Sequence, residues 1–92
     1  MKTFTDSTLA DLVPAFLAKR RAELGSLEAC LEEQDWISLS GHGHRLRGVG
    51  ALYGHEAIST FGGELEAAVT AKDAKGVALT LAAYRDYLAR QA

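Results

Sequence analysis

Two histidines lie two residues apart near the middle of the chain, within residues 41–54. A neutral imidazole nitrogen is a competent nucleophile near pH 7, because the unperturbed pKa of histidine is about 6.5. Each residue of a helix advances by about 100° around the axis, so His42 and His44 point to different sides and cannot share a metal ion. Any reaction at residues 41–54 would therefore use one histidine as a nucleophile and not two histidines as metal ligands.

The helical neighbours of His44 leave its ring accessible. Ser40 and Gly48 lie one turn on either side of it, Ala51 lies two turns on, and all three are small. The long side chain beside it is the cationic Arg47. Phosphoryl transfer needs access, in-line approach and charge neutralisation more than elaborate machinery. This pattern favours His44 as a phosphoacceptor, with Arg47 stabilising phosphoryl oxygens or contacting an acidic pocket of a partner. The alternative is an ordinary exposed histidine beside an arginine.

The other two histidines are predicted to have different roles. His42 falls on the same side of the helix as Leu46 and Tyr53, so we expect a core or boundary residue there. His55 follows Gly54 and is expected at the surface or as a helix cap. Since these histidines have no geometry in which they converge, no metal site is predicted.

The residues around His44 resemble the signature of histidine-containing phosphotransfer (HPt) domains. The family pattern His-x-Leu-Lys/Arg-Gly…Gly is matched by His44, Leu46, Arg47, Gly48 and Gly54. The resemblance extends to residues 35–36 and to the apolar segment 12–17, so it covers nearly the whole chain. It implies a phosphocarrier of a multistep phosphorelay, in which His44 accepts a phosphoryl group from a receiver-domain aspartate and passes it to the receiver of a response regulator.

This resemblance also implies the partners and the cofactors. The expected partners are receiver domains and a hybrid histidine kinase, and Mg²⁺ would be contributed by the receiver, with no cofactor on this chain. The sequence has no glycine-rich phosphate loop or ATP lid, so no phosphorylation from ATP by this chain alone is expected. Sensor-kinase dimerisation domains follow their histidine with an acidic residue, whereas Arg45 stands there. The alternative function is a non-catalytic adaptor or anti-relay module that binds receivers without carrying phosphate.

Further residues are candidates for supporting His44 or for docking. In HPt domains a polar residue, often glutamine, reaches the second ring nitrogen from about the position of Glu66. A glutamate there would accept from Nδ1–H and leave Nε2 as the nucleophile, and the alternative is a solvated boundary glutamate. The residues expected to contact a partner are Ile37, Ser40, Arg45, Ala51 and Leu52. For Ile37, cover by an N-terminal helix is an equal alternative.

Four amphipathic helices are predicted to position these residues, because apolar residues recur at steps of three and four and no alternating run indicates a strand. Pro14 is predicted to separate a short N-terminal helix, which ends near Leu12 and acts as a lid, from a long first helix. Asp6, Ser7 and Thr8 offer the N-cap of that short helix. Short connections between the helices predict an antiparallel up-down four-helix bundle, formed as one domain by residues 1–92.

The remaining helix boundaries follow from caps and turns. Helix two is predicted over residues 36–53, with Asp35 as its N-cap and Gly54 in the left-handed conformation after it. Helix three begins at residues 55–56 and ends at residues 71–73, where Asp73 caps helix four. Glycines 62 and 63 would let helix two approach helix three closely.

The core is predicted from the apolar stripes of these helices. Its expected members are Leu9, Leu12, Val13, Phe16, Leu17, Leu24, Leu27, Leu31, Leu39, Leu46, Tyr53, Ile58, Phe61, Leu65, Ala68, Val69, Val77, Leu81, Tyr84 and Leu88. Leu79 falls on the outer side of helix four without an explanation. Residues 19–21 form a basic cluster that we expect to be solvated.

Composition restricts the class of protein. The chain has 92 residues, a formal net charge of −2 and one cysteine. This acidic balance disfavours a nucleic-acid-binding bundle, and a single cysteine cannot form an intrachain disulfide. Since there is no membrane-spanning apolar run and residues 1–6 lack the apolar region of a signal peptide, we predict a soluble cytoplasmic protein, expected to be a monomer without membrane partners.

Overall fold

Four α-helices make up most of the chain. The computed structural model describes residues 7–91, with side chains from residue 11 onward, and this range contains no strand. The helices are α1 (Ser7–Glu32), α2 (Trp36–Val49), α3 (Glu56–Thr70) and α4 (Ala74–Arg90), and a 3-10 turn at Ala51–Tyr53 connects α2 to α3. The all-α class predicted from the sequence is confirmed.

The helices contact one another in cyclic order around one apolar core. α2 makes its most extensive contact with α3, α3 contacts α4, α4 contacts α1, and α1 returns to α2. The buried apolar residues are Phe16, Leu17, Leu24, Leu27, Leu39, Leu46, Ile58, Leu65, Val69, Val77, Leu81, Tyr84 and Leu88. Burial of such side chains contributes about 1.5–3 kcal/mol each, so the core holds the helix that carries His44 against its neighbours.

The first helix is continuous through Pro14, so the predicted break and the separate short lid helix are wrong. Proline inside a helix removes one backbone hydrogen bond, at a cost of about 3 kcal/mol. Packing on both sides of it offsets that cost: Val13 packs against the core, and the Phe16 ring stacks on Tyr53 with centroids 4.2 Å apart. Leu12, predicted in the core, is exposed. The predicted caps before residue 9 and the packing of Leu9 lie outside the described side chains.

The caps of the later helices are confirmed. Asp35 accepts hydrogen bonds from the hydroxyl of Ser38 at 2.7 Å and from its backbone N–H at 3.1 Å, and both lower the pKa of the Asp35 carboxyl. Asp73 caps α4 by accepting from the N–H of Gly76 at 2.9 Å. Gly54 has a φ of 80° and ends the 3-10 turn, as expected of a residue without a Cβ.

The end of α2 lies earlier than predicted, because the α-helix stops at Val49 and residues 51–53 form the tighter turn. The hydroxyl of Ser59 in α3 accepts from the backbone N–H of Ala51 at 2.8 Å, which satisfies a donor that an α-helix would have paired internally. A contact from another helix therefore decides this boundary.

The basic cluster on α1 is solvated only in part: Lys19 is exposed as predicted, whereas Arg20 and Arg21 are not. Arg20 is buried, with its guanidinium 5.0 Å from the centroid of the Phe16 ring and an ion pair to Glu23 at 3.0 Å. Arg21 donates to the carbonyl of Leu88 at 3.0 Å, near the end of α4. Arg21 therefore ties α1 to the end of α4, whereas the contacts of Arg20 lie within α1 itself.

Candidate functional site

The site lies where α2 and α3 come into backbone contact. A Cβ placed on Gly62 would lie 2.4 Å from the backbone nitrogen of Arg47 and 2.6 Å from the carbonyl oxygen of Gly43. A Cβ on Gly43 would lie 3.0 Å from the carbonyl oxygen of Gly62. Only glycine fits such a crossing, so the predicted close approach at Gly62 is confirmed, whereas Gly63 has no neighbour closer than 3.7 Å. This contact sets the distance between side chains on the two helices.

His44 projects from α2 into solvent, with 72% of its side chain exposed. The strip beside it is open: nothing lies within 4 Å of the place where a Cβ on Gly48 would be, and Ala51 is exposed. A visiting group therefore has an unobstructed path to the imidazole ring, which is the arrangement that the small neighbours predicted.

Glu66 of α3 reaches both His44 and Arg47. Its Oε2 lies 3.4 Å from Nδ1 of His44, and its Oε1 lies 3.2 Å from Nη1 of Arg47. The Glu66 side chain is only 22% exposed, and its Oε1 is inaccessible to solvent. This oxygen forms an ion pair with Arg47, but the angles of that contact are not those of a hydrogen bond. A carboxylate can only accept, so the neutral tautomer that suits this contact carries its hydrogen on Nδ1 and a free lone pair on Nε2.

The resulting site combines a nucleophile, a cation and a carboxylate. Nε2 of His44 is accessible and could act as a nucleophile, Arg47 is a nearby positive charge, and the Glu66 carboxylate lies within ion-pair distance of both side chains. Sequence reasoning did not predict the contact of Arg47 with Glu66. No spacing indicates it, because the two residues belong to different helices and meet only through the crossing at Gly62.

The predicted docking residues surround His44 along α2 and the 3-10 turn. Ile37 is 87% exposed and Leu52 is 52% exposed, which is unusual for large apolar side chains. No described residue covers Ile37, so the alternative in which a helix shields it is not found within residues 7–91. Arg45 and Ala51 are exposed as well, and Ser40 is half-buried. The exposed apolar residues leave a surface on which a partner can bury area.

His42 is half-buried, as predicted for a boundary residue. Its Nδ1 lies 3.0 Å from Nη2 of Arg45, which donates to it because a guanidinium cannot accept. Burial and the positive charge of Arg45 lower the pKa of His42, Arg20 acts in the same direction, and Glu23 opposes them. Residues three apart on a helix are neighbours, so the contact between His42 and Arg45 could have been predicted from their spacing.

His55 occupies the N-cap position of α3, as one of the two predictions had it, and its backbone carbonyl accepts from the N–H of Ile58 at 2.9 Å. It stands immediately before α3, but its side chain makes no capping hydrogen bond. The ring is half-buried, its Nδ1 is hydrogen-bonded to the hydroxyl of Tyr87 on α4, and it lies beside Phe16 of α1. Among the described side chains, no three histidine, cysteine, aspartate or glutamate residues converge on a point that a metal ion would occupy.

Comparison with protein-family models, with curated proteins and with solved structures finds no match to this chain. Within residues 7–91, no helix combines the length and the apolar character needed to cross a membrane. The chemistry of the site is therefore the basis for assigning a function.

Proposed function

We propose that this chain is a histidine-containing phosphotransfer domain that carries a phosphoryl group on Nε2 of His44. The observation that carries the proposal is an exposed imidazole whose other nitrogen, Nδ1, faces a carboxylate on the neighbouring helix. The cyclic contact order of the four helices supports the finer architecture that this function implies, an antiparallel up-down bundle.

The proposed reaction is a reversible transfer between histidine and aspartate. The Nε2 lone pair of His44 attacks the phosphorus of an aspartyl phosphate on a receiver domain, an N–P bond forms, and the P–O bond to the aspartate breaks to release its carboxylate. The ring then carries a positive charge shared with Nδ1–H, which Glu66 stabilises at 3.4 Å. The second transfer reverses these bonds on the receiver of a response regulator.

The negative charge of the phosphoryl group is neutralised both by Arg47 and by the receiver domain. Arg47 lies on the same helix as His44 and is more than half exposed, so its guanidinium is available to phosphoryl oxygens. Mg²⁺ would be supplied by the receiver, and a hybrid histidine kinase would phosphorylate the first receiver. The competing function is an adaptor that binds receivers without carrying phosphate. Such an adaptor would not require an exposed imidazole whose Nδ1 faces a carboxylate.

The direct test is phosphotransfer profiling. The purified chain is incubated with each phosphorylated receiver domain of the source organism, and acid-labile, alkali-stable phosphate is measured. We expect at least one receiver to load the chain within seconds to minutes, with the phosphate located on the peptide that contains His44. Receiver binding without any phosphate across the whole set would favour the adaptor, and phosphate on His42 or His55 would contradict the assignment of His44.

We expect Glu66→Ala to slow the loading of His44 by about tenfold, because the ring loses the carboxylate that fixes its tautomer and orientation. The measurement is the initial rate of phosphate transfer from the best receiver. Glu64→Ala is the matched control, since Glu64 is an exposed glutamate on the same helix. Equal rates in the two variants would show that Glu66 is only a boundary residue.

A further inference from the structure

His42 is a half-buried titratable side chain that the proposed transfer step does not use. It lies two residues before His44 on α2 and points to a different side of that helix. Its environment is charged: Arg45 lies on the same helix, and Arg20 and Glu23 act on it from α1.

The contact that His42 makes is with the side chain of Arg45. Nη2 of Arg45 donates to Nδ1 of His42 at 3.0 Å, which requires the neutral ring with its hydrogen on Nε2. The guanidinium also lies over Gly41, where an added Cβ would be 3.7 Å from Nη1. The Arg45 side chain therefore extends back along α2, and its guanidinium is held by His42 although the side chain is exposed.

We propose that His42 is a positioning residue, whose neutral ring holds the exposed Arg45 side chain on the flank of α2 between His42 and His44, ready for a receiver domain to contact, and whose protonation releases Arg45. This inference rests on the proposed function, because it concerns the surface that the receiver is proposed to contact. A long side chain that is already ordered loses less conformational freedom on binding, so releasing Arg45 weakens docking by about two- to tenfold.

The direction of the pH effect follows from the groups that face the ring. Burial lowers the pKa of His42 below its usual value of about 6.5, Arg45 and Arg20 lower it further, and Glu23 opposes them. The ring is therefore neutral and accepts from Arg45 at pH 7. As the pH falls through this lowered pKa, Nδ1 gains a hydrogen and can no longer accept, and two cations then face each other.

The first test uses the chain alone. Nitrogen-15 NMR of the imidazole rings at pH 7.5 should show Nδ1 of His42 as the unprotonated, hydrogen-bonded nitrogen. Arg45→Ala should raise the titration midpoint of His42, because it removes the nearest cation, whereas Arg47→Ala removes the same charge from the same helix and should leave that midpoint unchanged. A hydrogen on Nδ1 of His42 at neutral pH, or a midpoint equally insensitive to both substitutions, would overturn the contact.

The second test measures docking in a His44→Gln background, so that the titration of His44 does not contribute. The probe is the receiver domain that loads His44 fastest, and its Kd is measured between pH 7.5 and pH 5.5. His42→Gln places an amide oxygen that accepts from Arg45 at every pH, so it should keep the affinity seen at pH 7.5 and serve as the reference. His42→Leu should weaken binding by about two- to tenfold at pH 7.5. The affinity of the chain that keeps His42 should fall toward that of His42→Leu as the pH is lowered.

Identical Kd values for the His42, His42→Gln and His42→Leu chains at every pH would overturn the positioning role while leaving the phosphocarrier function intact. If no receiver loads His44, the proposed function fails, and the recognition role of Arg45 fails with it. The NMR result then still decides separately whether His42 holds Arg45.

Discussion

Replacing His44 by glutamine is expected to remove all acid-labile phosphate from the chain, a loss of at least about 1000-fold that reaches the background of the assay. The amide nitrogen of glutamine has no available lone pair, so no N–P bond can form. The substitution leaves the fold unchanged, because the His44 side chain is 72% exposed and surface substitutions of this kind alter stability by about 0.5 kcal/mol or less. The measurement is phosphate incorporation from the best receiver, together with a thermal unfolding curve.

The control for this prediction is His55→Gln, which changes a histidine that lies beside Phe16 and Tyr87 and outside the site. This variant should carry the same molar amount of phosphate as the unmodified chain. Retention of phosphate in the His44→Gln variant would mean that another side chain is the acceptor, and the proposed function would then have to be assigned to a different residue.

Gly62→Ala is expected to destabilise the chain by about 3 kcal/mol, which corresponds to a decrease in Tm of about 15 °C for a domain of this size. The added Cβ would lie 2.4 Å from the nitrogen of Arg47 and 2.6 Å from the oxygen of Gly43. Both are backbone atoms that cannot rotate away, so α2 and α3 must separate. The same movement would draw Glu66 away from His44, and we expect loading to slow as well. Denaturant titration gives the free energy of unfolding.

The chain offers a matched control in the adjacent residue. A Cβ on Gly63 would have no neighbour closer than 3.7 Å, so Gly63→Ala should be neutral or stabilise α3 by up to about 1 kcal/mol through helix propensity. If Gly62→Ala were as stable as Gly63→Ala, the two helices would not be in backbone contact. The geometry that brings Glu66 to His44 would then require a different explanation.

The sequence predicts those parts of the fold that depend on local chemistry. The caps at Asp35 and Asp73 and the left-handed Gly54 were predictable, because each depends on a few neighbouring residues. The path of α1 through Pro14 was not, because a break is the local preference and distant packing, including the Phe16–Tyr53 stack, overrides it.

The candidate site divides in the same way. The accessibility of His44 follows from the small residues at helical spacing around it, so it was predictable from α2 alone. The contact of Arg47 with Glu66 depends on the crossing of two helices, and the contact of His55 with Tyr87 joins residues 32 positions apart. Such contacts depend on tertiary packing and have no periodic signal in the sequence.

Because α2 and α3 touch through the backbone at Gly43 and Gly62, the separation of imidazole and carboxylate is set more directly by main-chain contact than by the size of side chains in α1 or α4. Conservative apolar substitutions in those two helices are therefore expected to change the free energy of unfolding more than the reactive geometry. The crossing of α2 and α3 thus serves both stability and the reactive geometry, whereas the packing of α1 and α4 serves mainly stability.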